Sequence, residues 1–184
     1  MDMEEQEKLF TISALTENKA GLLNGVTIIF TRRKLNIESI NVSETEVEGV
    51  SRYTIVVRTT QHQAELVVKQ IRKLIEVLGA FLYEEKDIYY QELGMFKLPT
   101  EVFLNGNTIE TLVRNNGARI LVIEEDHIVV EKTGHRKEIE EVFNLLKPFG
   151  LLEFVRSGRI AISKSKRKTD TFIRELEAEN LKNL

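Results

Sequence analysis

The hydrophobic period along the chain switches between two and about 3.6 residues in a fixed order, and that order occurs twice. Over residues 8–15, Phe10, Ile12 and Ala14 fall on one face at strand spacing. Residues 21–34 then place Leu22, Val26, Ile29, Phe30 and Arg33 at helical spacing. Residues 36–44 and 51–59 predict a hairpin around Glu48-Gly49, its second strand alternating Tyr53, Ile55 and Val57. A helix over 62–78 follows, with Ala64, Val67, Ile71, Leu74, Ile75 and Leu78 on one stripe, and a strand near 80–88 closes the pass.

The second pass begins with a strand over 90–98 and a helix over roughly 106–116 carrying Ile109, Leu112 and Val113. A hairpin of Ala118–Ile123 and Ile128–Glu131 turns at Glu125-Asp126. Residues 135–147 predict a helix buried through Ile139, Val142, Phe143 and Leu146, and Leu151–Ile162 a last strand. Each pass reads strand–helix–strand–strand–helix–strand, long enough for both helices to cover one face of an antiparallel sheet. The expected fold class is α+β, two tandem ferredoxin-like (βαββαβ) units. The boundary is expected near Asp87–Gln91, with domains over 1–88 and 89–163 and a charged helical tail over 164–184.

The tail has its own character. Lys164-Ser165-Lys166-Arg167-Lys168 is a basic run, followed by Phe172, Ile173, Leu176, Leu181 and Leu184 at helical spacing. Two readings stand side by side: a solvated tail that frays from the second unit, or an amphipathic helix that docks on a partner chain.

One segment carries chemistry. Thr16-Glu17-Asn18-Lys19-Ala20-Gly21 is a short polar loop between the first strand and the first helix. The helix it opens starts with backbone N–H groups that lack intrahelical partners and carry the positive end of the dipole, which suits a free carboxylate. Gly21 permits close approach of the backbone, and Asn18 offers both a carbonyl and an amide to an amino-acid zwitterion. The plain structural alternative is a tight strand-to-helix turn with Asn18 as a local hydrogen bonder.

Composition narrows the rest. The 184 residues are 42% hydrophobic and 30% charged, enough for a core in one domain or two small ones. A formal charge of −3 supplies no general attraction for nucleic acid or anionic membrane. With no cysteine, disulfides and thiolate metal sites are excluded, in keeping with a cytoplasmic protein. The start, Met1-Asp2-Met3-Glu4-Glu5-Gln6-Glu7, is acidic and predicts no signal peptide, and no apolar run is long enough to span a bilayer.

No catalytic constellation stands out. His62, His127 and His135 fall in different predicted elements without metal-ligand spacing. The chain has no G-x-S-x-G, P-loop or G-x-G-x-x-G pattern. Glu84-Glu85 and Glu124-Glu125-Asp126 read as solvated charges at strand ends and turns.

The run Leu15-Thr16-Glu17-Asn18-Lys19-Ala20-Gly21-Leu22, with Phe30-Thr31-Arg32-Arg33 and Asn36-Ile37-Glu38-Ser39-Ile40, resembles the ACT domain of the acetolactate synthase (acetohydroxyacid synthase) small, regulatory subunit. Further along, Leu146-Lys147-Pro148-Phe149-Gly150-Leu151-Leu152-Glu153 and Arg156-Ser157-Gly158-Arg159-Ile160-Ala161-Ile162-Ser163 resemble the end of the same subunit's C-terminal domain. The resemblance covers about residues 8–163. It implies a non-catalytic subunit that activates a catalytic large subunit and makes it sensitive to valine or another branched-chain amino acid. Thiamine diphosphate, Mg and FAD are then expected only on that partner, with no cofactor and no metal in this chain. It also implies a homodimer formed through ACT domains, with effector sites in the seam. By position, Asn18, Ala20, Gly21 and Leu22 are the expected contacts from the loop, and Asn36 and Ile37 from the strand. Gly21 and Leu22 N–H groups would hold the carboxylate, and Ile37 would line the side-chain pocket.

The sequence departs from that family at Lys34, where a glycine often stands. Glycine suits a left-handed helix C-cap, so lysine must either adopt that geometry at greater cost or shift the turn. Three rival readings have their own marks. A free-standing amino-acid sensor would bind a different enzyme or a transcription system. An RNA-binding module needs exposed stacking aromatics on the third strand, where Tyr53 stands alone. A small hydrolase needs an arginine in the loop and a general base, neither of which is evident.

Overall fold

A computed structural model describes residues 6–104, 108–166 and 168–182. The first residues of the acidic start, residues 106–107 of the helix expected over 106–116, Arg167 and Leu184 lie outside these. The chain forms two compact units, one of residues up to Tyr89 together with Arg159 onwards, the other Tyr90–Gly158.

In the first unit β1 (Lys8–Glu17), α1 (Leu22–Arg32), β2 (Ile37–Glu44), β3 (Val50–Thr59), α2 (Gln61–Ile71) and β4 (Val77–Tyr83) follow in the expected order. The sheet runs β2-β3-β1-β4, all pairs antiparallel, which leaves β2 as an edge strand. The alternation of β1 and β3 does what its period dictates: Phe10, Ile12, Ala14, Tyr53, Ile55 and Val57 meet Val26, Phe30, Val67 and Ile71 in one core. Register is fixed because a one-residue slip would turn that whole set to the other face.

The second unit has β5 (Ile88–Pro99), a short α3 (Glu101–Leu104), α4 (Thr108–Asn115), β6 (Arg119–Ile123), β7 (His127–Gly134), α5 (Arg136–Leu146) and β8 (Glu153–Arg156). The strand order β6-β7-β5-β8 runs through its sheet. Phe96, Leu98, Ile128 and Val130 pack against Ile109, Val113, Ile139, Val142 and Leu146. α5 opens with a capping box in which His135 N–H donates to Glu138 Oε2 at 2.6 Å.

Three expectations change. The helix expected over 62–78 ends at Ile71, and β4 begins at Val77 where a strand was expected only from 80. Lys73 and Leu74 N–H groups turn back to Gln70 and Ile71 carbonyls, and Thr16 pairs with Val77. Sheet pairing therefore claims Leu78 that helical spacing assigned to α2, and Ile75 stands 94% exposed in the turn. The last strand expected over 151–162 is broken at Ser157-Gly158 into β8 and β9 (Ile160–Ser163). Ser157 N–H and hydroxyl are engaged with Leu93, which ends β8, and the chain from Arg159 belongs to the first unit.

The third change concerns the tail. α6 (Thr169–Lys182) docks on the first unit of its own chain. Ile173, 4% exposed, packs with Leu15 and Val50, flanked by Leu78, Phe172 and Leu176. Leu15 lies on the face of β1 opposite Ile12 and Ala14, so α6 covers the side of the first sheet turned away from α1 and α2. Gly79 lets α6 sit close to the sheet: a Cβ there would lie 2.8 Å from Leu176 Cδ1, so that side chain would have to shift.

Candidate functional site

The polar loop between β1 and α1 is held by its backbone. Glu17 N–H donates to Glu76 O and Asn18 N–H to Gly49 O, both at 2.8 Å. Gly21 takes φ 86°, a left-handed conformation that a side chain would strain, and it is the N-cap of α1. Asn24 and Gly25 N–H groups donate to Gly21 O. No side chain caps this helix and no acid stands in its first turn. The Leu22 and Leu23 amides thus sit at the positive end of α1, beside an exposed Ala20 and an exposed Gly21.

Asn18 is committed in a way the sequence did not indicate. Its Nδ2 donates to Glu44 Oε1 at 2.6 Å, tying the loop to the far end of β2. Lys19 pairs with Glu17 at 2.5 Å, and that hydrogen bond holds its ammonium pKa above the usual lysine value. Leu22, the first residue of α1, is buried.

Asn36 and Ile37 lie at the other end of α1 and the opposite end of β2 from the loop. Eleven helical residues span about 16 Å, so within one chain the structure does not bring them to Gly21. Asn36 is exposed, Ile37 leans on the first core, and the register shifts between Ile37 and Ser39. Such a bulge re-aims side chains at the edge of a sheet.

Lys34 settles its own alternative. It adopts φ 56°, with Lys34 N–H on Thr31 O and Leu35 N–H on Phe30 O, each at 3.0 Å. This is the glycine-type helix ending with lysine in the left-handed position, and Leu35 packs against the core that contains Phe30. The turn is kept, at a cost to Lys34.

Other candidate chemistry is thin. No group of three or more His, Asp or Glu among the described residues is arranged to hold a metal. His127 Nδ1 lies 2.6 Å from Asp126 Oδ1, which lowers the Asp126 pKa. Tyr53 is 4% exposed, on the core face of β3, and burial raises its hydroxyl pKa. Among the described residues no helix is long and apolar enough to cross a membrane.

Residues 12–79 match the family described as AHAS small subunit-like ACT domain, and residues 91–165 that described as small subunit of acetolactate synthase. The acetolactate synthase small subunit of Bacillus subtilis is 34% identical, over 86% of this chain and 91% of that protein. The Mycobacterium leprae protein of the same description is 36% identical, over 88% and 95%. The chain belongs to the acetolactate synthase small subunit family. The crystal structure of the small subunit from Thermotoga maritima superposes with a TM-score of 0.78 at 28% identity, covering 87% of this chain and 99% of that one. The family's two matched stretches fall on the first and second sheets, and α6 begins beyond both. The small-subunit assignment implies a large catalytic subunit as partner.

Proposed function

We propose that this small subunit has no active site of its own, activates the thiamine-diphosphate-dependent large subunit, and makes it sensitive to feedback inhibition by valine. The observation that carries the reading is the helix start at Gly21, without a side-chain cap, joined to the far end of an edge strand. Backbone amides there suit the carboxylate of an amino acid, with no buried charge on the protein to neutralise.

The two halves of the expected site meet if a second copy is added. Asn18 and Glu44 anchor the loop at the end of β2, whereas Asn36 and Ile37 stand at its beginning. Antiparallel pairing of β2 with β2 of another copy places the beginning of one strand beside the end of the other. A two-fold axis then yields two equivalent clefts, each with Ala20, Gly21 and Leu22 from one protomer and Asn36 and Ile37 from its partner. Asn18 orients the loop through Glu44, and Ile37 lines the branched side chain. This also covers an edge that would otherwise template unwanted pairing.

A ligand in that seam acts through how two chains meet. Its effect on the catalytic partner is bounded by its differential affinity for the two arrangements, typically about 1–3 kcal/mol. One methylene is worth about 1–3 kcal/mol in such a pocket, so leucine and isoleucine act more weakly than valine. Thiamine diphosphate, Mg and FAD belong to the large subunit in this reading. A chain without cysteine fits a cytosolic complex.

Calorimetric titration of the purified chain with valine, leucine, isoleucine and an unrelated amino acid tests the cleft, and assay of the reconstituted holoenzyme tests activation and feedback. Saturable valine binding with a dimer in sedimentation is the expected result. A chain that binds none of the three, and leaves the large subunit's rate unchanged, ends the reading.

A further inference from the structure

A cavity of about 560 Å³ lies in the first unit, on the sheet face that α6 covers. It is separate from the loop at Gly21: β1, β3 and β4 form its floor, β9 and the start of α6 its walls. Arg52 lines it from β3, with its Nε buried and without a hydrogen-bond partner. That Nε is shut off from solvent, so what Arg52 offers the cavity is its positive charge rather than this N–H. Lys168 adds a second cation, and no Asp or Glu is among the described residues lining the cavity. The acid nearest in effect is Glu46, which feels Arg52 and is hydrogen-bonded by Thr169.

The lining divides by character. Ser13, Ser163 and Thr169 supply hydroxyls to the lining, while Leu15, Phe81 and Phe172 form its apolar part. Phe81 and Phe172 pack with ring centroids 4.9 Å apart. A guanidinium and an ammonium in a lining without an acid match a carboxylate. A bare phosphate would lose its hydration against the aromatic wall, and a neutral molecule would bring the two cations no counter-charge within the cavity.

We propose that this cavity is a second ligand site, taking a small carboxylate with a short hydrocarbon body, the acid on Arg52 and Lys168 and the chain against Phe81 and Phe172. Three of the contributing residues, Lys168, Thr169 and Phe172, come from α6 or the residue before it, so occupancy and docking of α6 stabilise each other. Lys168, Thr169 and Phe172 lie beyond both stretches matched to the family, whereas Ser13, Leu15 and Arg52 lie within the first.

The test uses the full chain, with hexanoate as the probe, hexan-1-ol as its neutral counterpart and inorganic phosphate as the bare anion, read by calorimetry and ligand-observed NMR. Hexanoate is expected to saturate, and to bind at least about tenfold more tightly than either control. Arg52→Met is expected to weaken it by at least about tenfold and Lys168→Met by a smaller factor, with valine binding unchanged in both. Lys168 is exposed, so its variant carries the test if Arg52→Met does not fold by circular dichroism. Hexanoate that never saturates, that binds both variants as tightly as the unaltered chain, or that phosphate displaces at equal concentration overturns the site. Hexanoate binding in a chain that ignores valine would count against the valine cleft alone.

Discussion

Arg159 donates from Nη1 to the Thr11 hydroxyl at 3.0 Å, joining residues 148 positions apart within the first unit. Arg159 is 2% exposed and also reaches Glu85 Oε1 at 3.3 Å through Nη2. The Arg156-Ser157-Gly158-Arg159 run, read in sequence as the end of the second domain, is in fact the point of return. Arg156 pairs with Glu92 in the second unit, and Arg159 closes the first.

Replacing Arg159 by Met keeps the volume and removes both bonds, leaving the Thr11 hydroxyl buried without its donor. The expected loss is about 2–3 kcal/mol, the scale for hydrogen bonds from a charged group. Urea unfolding measures it; a change within about 0.5 kcal/mol, the range of an ordinary surface substitution, would show that the contact contributes little.

Lys34→Gly should stabilise the chain. Lysine at φ 56° carries a left-handed penalty of about 1–2 kcal/mol, partly offset by the greater freedom glycine has when unfolded. A net gain of about 0.5–1 kcal/mol is expected, or roughly 1–4 °C in melting temperature. A lower melting point for the glycine variant contradicts this account of the turn.

Gly21→Asp separates the effector site from the rest of the subunit. A Cβ at Gly21 meets nothing within 4 Å, and Asp tolerates left-handed backbone better than most residues. The new carboxylate would sit on the α1 amides and repel a ligand acid. Valine inhibition of the reconstituted enzyme should weaken by at least about tenfold, equivalent to about 1.4 kcal/mol, while activation persists. Inhibition at unaltered valine concentrations would place the effector elsewhere.

The first pass of the fold was legible because its core is written in alternation: Phe10, Ile12 and Ala14 against Tyr53, Ile55 and Val57. Leu74 and Ile75 extended a helical stripe that the chain does not use, since spacing alone carries no sign that Val77 will pair with Thr16. The loop from Asn18 to Gly21 could be read from local rules of helix starts. Its tie to Glu44 could not, because that bond spans 26 positions and depends on the hairpin folding back. The docking of α6 was equally hidden: Phe172, Ile173 and Leu176 announce an apolar face without naming the sheet that receives it.

Docking of α6 should loosen in acid. The Thr169 hydrogen bond holds the Glu46 carboxyl below its ordinary value of 4.5. A lowered folded pKa means that the contribution is complete above that value and is lost as pH falls through the lowered one. Amide exchange within α6 should therefore accelerate relative to the sheet below about pH 4.5, and Glu46→Gln should flatten that profile. An unchanged profile in the variant would exclude Glu46 as the titrating group.

Ile173→Ala tests the same helix without charge. Removing a buried isoleucine typically costs about 2–4 kcal/mol, here drawn from a terminal element. Exchange protection in α6 should drop while β7 and α5 in the second unit keep theirs. Equal loss in both would mean that α6 stabilises the whole chain rather than its own sheet.

The return of the chain at Arg159 has a consequence for its birth on the ribosome. Tyr90–Gly158 is contiguous and able to collapse as soon as it emerges, whereas the outer face of the first sheet stays bare until Ile173 has been made. The half synthesised first is thus finished last, and for the interval between, the hydrophobic strip of Leu15, Val50 and Leu78 is open to whatever chaperone or sister chain reaches it.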